Sequence, residues 1–185
     1  MNIVLFGPQG SGKGTQAQLL TEKFGFFYFE SGAYLRKIAE TNTELRKSLA
    51  GGNLVPDKEM TSYLTAFLDE KNLYDDILFD GFPRTLDQYK FLKRWLNQKQ
   101  VKINLGIVLE ISKKETIKRL LLRKRDDDTL EAINKRLELY KTRTEILINE
   151  IEKDTKIVRV NGERSIEEIQ EDLVEIIEHE IQLTP

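Results

Sequence analysis

Gly7-Pro8-Gln9-Gly10-Ser11-Gly12-Lys13-Gly14-Thr15 has the spacing G-x-x-x-x-G-K, and its flanks decide how it is read. Just before it, Asn2-Ile3-Val4-Leu5-Phe6 is a short apolar run that reads as a buried strand; just after it, residues 16–24 carry a helical pattern. Strand, glycine-rich turn and helix in that order make an anion trap. The glycines let the backbone turn its N–H groups inward, the helix N-terminus adds partial positive charge, and Lys13 adds a mobile full charge. A glycine-rich turn that binds nothing would need neither the lysine nor both flanks. Many such loops place Ser or Thr directly after the lysine, where the hydroxyl ligates Mg²⁺. Here Gly14 fills that place and Thr15 comes one later, so a metal leans on water and on a carboxylate elsewhere. That points away from a GTPase and toward a small-molecule kinase.

Working outward, 185 residues suit one domain with a sizeable core. Charged residues make up 32% of the chain, yet the net charge is −2, so no global positive charge points to nucleic acid or an anionic membrane. There is no Cys, hence no disulfide and no thiolate zinc site. No run reaches the roughly 18 apolar residues of a membrane span, and no basic, apolar leader precedes the first strand. The expectation is a cytoplasmic protein. His179, the single histidine, reads as a solvated residue of a charged helix rather than a catalytic one.

Short apolar runs at about 2–6, 27–30, 76–80, 105–110 and 156–160 alternate with helical patterns, as buried parallel strands do. In the last helix Ile166, Ile169, Leu173, Ile176 and Ile177 recur at helical spacing after a start at Ser165. The fold class that follows is α/β: a doubly wound, five-stranded parallel sheet whose ligands sit at the carboxyl ends of the strands. About 45 residues between the second and third strands are too many for one crossover helix. They hold helical patterns broken at Thr41-Asn42 and Gly51-Gly52, and read as an inserted helical subdomain, residues 31–60, within a single domain spanning 1–185. The Lys/Glu-rich stretches 145–156 and 163–180 read as solvated helix faces.

Asp80-Gly81-Phe82-Pro83-Arg84-Thr85 closes the third strand, Ile77-Leu78-Phe79. Asp80 falls where a carboxylate can meet Mg²⁺ or its water shell. Gly81 and Pro83 shape a tight turn, and Arg84 points a bidentate donor into the same crevice. With this motif, Gln88, Gly7-to-Gln16 and Gly-Asn-Leu-Val-Pro-Asp at 52–57, the chain resembles adenylate kinase and its nucleoside monophosphate kinase relatives over essentially its whole length. The resemblance implies a P-loop fold of the monophosphate kinase type and reversible transfer from MgATP to AMP. It implies that Gly10, Ser11, Gly12, Lys13, Gly14 and Thr15 hold ATP phosphates, with Arg119 on the base, Arg123 on the phosphates and Arg164 at the adenine loop. It further implies that Arg36 and Arg84 hold the AMP phosphate and that Asn53, Leu54 and Val55 line its base site. Gly81, Phe82 and Pro83 shape that site, while Ser31 and Gln88 read the base edge. Arg125 and Arg136 close over the transferring group. The catalytic set is then Lys13, Arg84, Arg123, Arg125 and Arg136, with Asp80 meeting Mg²⁺ through water. Such a transfer needs positioning and cation clamps more than covalent chemistry. A cis bond at Phe82-Pro83 is also suggested by the resemblance alone.

Four departures from the family pattern stand out. Pro8-Gln9 shifts the usual proline of the loop, Ala33 stands where the family carries Asp, and Ser31 replaces the commoner Thr. Only Lys124 separates Arg123 from Arg125, leaving residues 123–128 as a minimal, vestigial lid without zinc ligands. Without the Asp at 33, weaker Mg²⁺ support is expected; without a lid, more leakage of ATP to water. ATP and AMP (or ADP) are the expected partners, with no nucleic acid and no membrane. A monomer is expected, or an oligomer if a partner subunit compensates for the lid. Two other readings stay open. One is a UMP/CMP kinase of the same family, against which Thr85 and Gln88 speak; the other is a non-catalytic adenine-nucleotide sensor, against which the set of arginines speaks.

Overall fold

The computed structural model describes residues 1–123 and 129–183. Five parallel strands, β1 (Asn2–Phe6), β2 (Phe27–Glu30), β3 (Ile77–Asp80), β4 (Ile103–Glu110) and β5 (Lys156–Asn161), lie in the order β2-β3-β1-β4-β5. This is the doubly wound sheet expected. β1 is central, and the chain crosses first to one side of it and then to the other. A crevice therefore opens at the carboxyl ends of β1, β3 and β4. β3 begins one residue later than the apolar run suggests, because Asp76 adopts a left-handed φ of 55°.

Alternation along the strands separates two cores. Val4, Phe6, Phe29, Ile77, Phe79 and Val108 face one side. There they meet Leu64 and Leu68 of α4 (Asp57–Lys71), Leu92 and Leu96 of α5 (Leu86–Gln98), and Leu147, Ile148 and Ile151 of α8 (Glu145–Ile151). Ile3, Leu5, Leu78, Leu105, Ile107 and Leu109 face the other side, against α1 (Lys13–Phe24) and α9 (Ile166–Leu183). Each such side chain contributes about 1.5–3 kcal/mol when fully buried, as an upper bound.

Between β2 and β3 run α2 (Ser31–Ala39), α3 (Thr43–Ala50) and α4. α3 is capped by Asn42, whose side chain accepts from Leu45 N. α6 (Lys113–Arg123) and α7 (Leu130–Leu139) follow β4, and a π-helical turn, Tyr140–Thr144, joins α7 to α8. α9 opens with a reciprocal cap: Glu168 N donates to Ser165 Oγ at 3.2 Å, and Ser165 N donates to Glu168 Oε2 at 2.9 Å. His179 is exposed. Among the described residues no helix is long and apolar enough to cross a membrane.

Candidate active site

α1 begins at Lys13, three residues ahead of its apolar pattern, directly behind a left-handed Gly12 (φ 96°). Its N-terminus carries no side-chain cap, so the N–H groups of the first turn are left for a ligand. Gly10 (φ 84°) packs so closely on α6 that a Cβ there would lie 3.2 Å from Leu120 Cγ. Lys13 folds back over the loop. Its Nζ donates to the carbonyls of Gly7 at 2.8 Å and Pro8 at 3.0 Å. Burial pulls the ammonium below its ordinary range, Arg84 and Arg123 push it the same way, and Asp80 opposes them.

Across the crevice Asp80 is 8% exposed and accepts from Tyr28 Oη at 3.1 Å. Burial raises its carboxyl above the usual range; Lys13 and the Tyr28 hydroxyl work against that. The turn that follows is tight. The Phe82–Pro83 peptide is cis, Gly81 has φ 77°, and Arg84 Nε donates to Gly81 O at 2.6 Å. Arg84 is held further by its backbone: its N–H donates to Gln88 Oε1 at 2.8 Å, and its carbonyl accepts from Thr144 Oγ1 at 3.2 Å. Burial, then Arg136 and Arg36, lower the Arg84 guanidinium from its ordinary value, with Asp80 opposing. Cations are thus crowded together where an entering anion relieves them.

One crevice of about 760 Å³ is walled by the phosphate loop, Ser31, Arg36, Asn53, Leu54, Val55, Asp80, Gly81, Pro83, Arg84 and Gln88, together with Arg119, Arg123, Arg136 and Arg164. Several of these have partners that the sequence did not announce. Arg36 pairs with Glu30 at 2.9 Å. Arg136 donates to Gln9 Oε1 and to Leu49 O, each at 3.1 Å, and so links α7 to the phosphate loop and to α3. Arg119 donates to Glu115 at 2.8 Å and to Gly162 O at 2.9 Å. Ser31 Oγ is buried and has no hydrogen-bond partner among the described residues.

The geometry adds detail at three of the expected site residues. Phe82 is not in the wall: its ring is 0% exposed and belongs to the core, so it shapes the turn from behind. Arg164 reaches the crevice, but its guanidinium is engaged by Asp172 of α9. Asn53 stays in the wall beside Leu54 and Val55, with its amide donating to Ser48 O at 3.3 Å. Arg125 and the short lid around it lie outside the described residues. The residues that sequence reasoning passed over are Tyr28, Glu30 and Asp57. Asp57 accepts from Thr85 Oγ1 and Gln88 Nε2, both at 2.8 Å. Two signals existed: Glu30 ends a strand beside Asp80, and Asp57 closes the Gly-Asn-Leu-Val-Pro-Asp motif.

Among the described residues no group of three or more His, Asp or Glu side chains converges on a metal. Asp80 is a lone buried carboxylate with one oxygen on Tyr28. This suits a cation that takes one carboxylate, phosphate oxygens and water, as Mg²⁺ does.

The family model described as adenylate kinase matches residues 5–156. A relative named adenylate kinase from Parabacteroides distasonis is 39% identical over 91% of this chain and 93% of its own length. Relatives of the same name from Azobacteroides pseudotrichonymphae and Bacteroides thetaiotaomicron are 36% and 35% identical, over 97% and 96% of this chain and 98% of their own lengths.

Proposed function

The chain belongs to the adenylate kinase family, and from that premise we propose that it moves a phosphoryl group reversibly between MgATP and AMP, giving two ADP. The observation that carries the proposal is the meeting, in one crevice, of a phosphate loop with Arg36, Arg84, Arg123 and Arg136. A single nucleotide needs the loop alone; two phosphate chains brought end to end need cations from both sides.

ATP lies with its phosphates on Gly10, Ser11, Gly12, Gly14 and Thr15, its γ end at Lys13 and Arg123, and its base beside Arg119. AMP lies against Ser31, Leu54, Val55, Gly81, Pro83 and Gln88, its phosphate on Arg36 and Arg84. The helices within 31–60 serve as the monophosphate-binding unit and 123–128 as a minimal lid, from which Arg125 joins Arg136 over the transferring group. The attacking oxygen of AMP is already anionic, so no strong general base is required. What the chain supplies is alignment and positive charge where charge spreads in the transition state. Asp80 would hold Mg²⁺ through water, and the ion would neutralise part of the phosphate charge. A cytoplasmic monomer that uses neither nucleic acid nor membrane completes the reading.

The test is product formation from MgATP with AMP, UMP, CMP or GMP, resolved by chromatography beside a no-acceptor control. ADP from both nucleotides with AMP, and far less product with the others, is the expected result. Transfer to none of them by protein that binds ATP would overturn the proposal.

A further inference from the structure

Asp57 is the first residue of α4, and its two carboxylate oxygens each take one donor from the start of α5. Thr85 Oγ1 donates to Oδ2, and Gln88 Nε2 donates to Oδ1. Gln88 is 2% exposed and lines the crevice, and its carbonyl end accepts the Arg84 backbone N–H. A carboxamide can sit either way round until its neighbours select one way. Here an acceptor faces Nε2 and a backbone donor faces Oε1. The flipped amide would set oxygen against carboxylate and N–H against N–H, leaving buried groups unpaired. Thr85 secures the arrangement. Its hydroxyl hydrogen goes to Asp57 while its oxygen accepts Gln88 N at 3.2 Å, so the carboxylate is held at two points. One N–H and one lone pair of the Gln88 amide remain for a ligand.

We infer that Asp57 is a positioning residue that fixes which way round Gln88 offers its amide to the acceptor's base. An amide locked in one sense offers its N–H and its lone pair in one order. On the proposed assignment of Gln88 to AMP that order meets an amino group beside a ring acceptor, as in adenine and cytosine, and a base seated the same way with a carbonyl beside a ring N–H, as in uracil and guanine, is mismatched. This deepens the proposed function and rests on its assignment of Gln88 to the AMP base.

The experiment compares Asp57→Ala, Asp57→Asn, Gln88→Ala and the Asp57→Ala/Gln88→Ala double variant. Steady-state kinetics with AMP, UMP and GMP are read together with KM for ATP and thermal unfolding. Asp57→Ala is expected to raise KM for AMP about tenfold, the effect of one lost oriented hydrogen bond, while kcat and KM for ATP stay within about twofold. The ratios of kcat/KM for UMP and GMP to that for AMP rise by a similar factor. Asp57→Asn falls between, because one amide cannot accept from both Thr85 and Gln88. In the Gln88→Ala background the Asp57 change adds less than about twofold. The inference is overturned if folded Asp57 variants keep AMP KM and base preference. It is also overturned if kcat and both KM values move together and add in the Gln88→Ala background, the pattern of a merely structural residue. Gln88→Ala without effect on AMP would instead overturn the assignment of Gln88 in the proposed function. If Asp57→Ala does not fold, Asp57→Asn decides.

Discussion

Lys13 folds onto its own loop, donating to the Gly7 and Pro8 carbonyls. A polyphosphate must draw it off those bonds, so its worth lies in the transition state more than in holding ATP. Lys13→Met is therefore expected to lower kcat by about 10²–10³ with a smaller change in KM for ATP, measured by initial rates. Gly81 is the second residue whose identity is forced. At φ 77° a Cβ would stand 2.5 Å from Ser31 Oγ and 2.8 Å from Arg84 Nη2. Gly81→Ala should cost roughly 1–3 kcal/mol in urea unfolding and raise KM for AMP, because the clash falls on two proposed AMP contacts. Both positions were legible in the sequence, since spacing and glycine carry the signal. The partners of Tyr28 and Asp57 were not, because they lie far along the chain and no local pattern records such a pairing; Glu30 was passed over although Arg36 stands only six residues on.

Among the elements, α5 is tied at its start and at its middle. Thr85 caps its start, and along its length Tyr89 Oη donates to Asp154 Oδ1 at 2.6 Å while Lys93 pairs with the same carboxylate. Burial, then Asp154, push the Tyr89 phenol up to about 12. Its ordinary value is near 10, so between those values the folded protein holds a proton that the unfolded chain has released. The stability linked to that proton is fully present below about pH 10 and is lost as pH rises toward about 12. Thermal unfolding followed across that window should show an alkaline decline that is shallower in Tyr89→Phe. The helices themselves were readable from apolar period and caps. The early start of α1 was not, because Lys13, Gly14 and Thr15 have no apolar face. Nor was the π-turn at Tyr140–Thr144, which tertiary packing decides.

At the scale of the molecule, a chain of net charge −2 brings Lys13 and six arginines to one crevice, while the two cores share a single sheet. Ligand binding at that crevice should stabilise the whole sheet. With MgATP or AMP at a hundredfold excess over Kd the gain is about 2.7 kcal/mol, or roughly 5–10 °C in Tm by scanning fluorimetry. Phosphate should raise Tm more than chloride at equal ionic strength. The sheet was legible because five apolar runs alternate with helical ones; the crevice was legible in its phosphate loop and in the turn after β3. How the arginines are tethered was not, since Gln9, Leu49 and Gly162 become neighbours only once the crossovers are folded.

The Glu30–Arg36 pair changes what it means for AMP to arrive. Arg36 is not a bare cation awaiting an anion; it already has a carboxylate, and a phosphate must trade places with it. Such a swap conserves the number of close ion pairs and releases few bound counter-ions, so AMP recognition should resist salt. KM for AMP is expected to climb only gently with added KCl, whereas in Glu30→Gln it should be lower at low salt and climb steeply. A carboxylate that looks misplaced in an anion pocket thus acts as a buffer, trading peak affinity for constancy across ionic conditions.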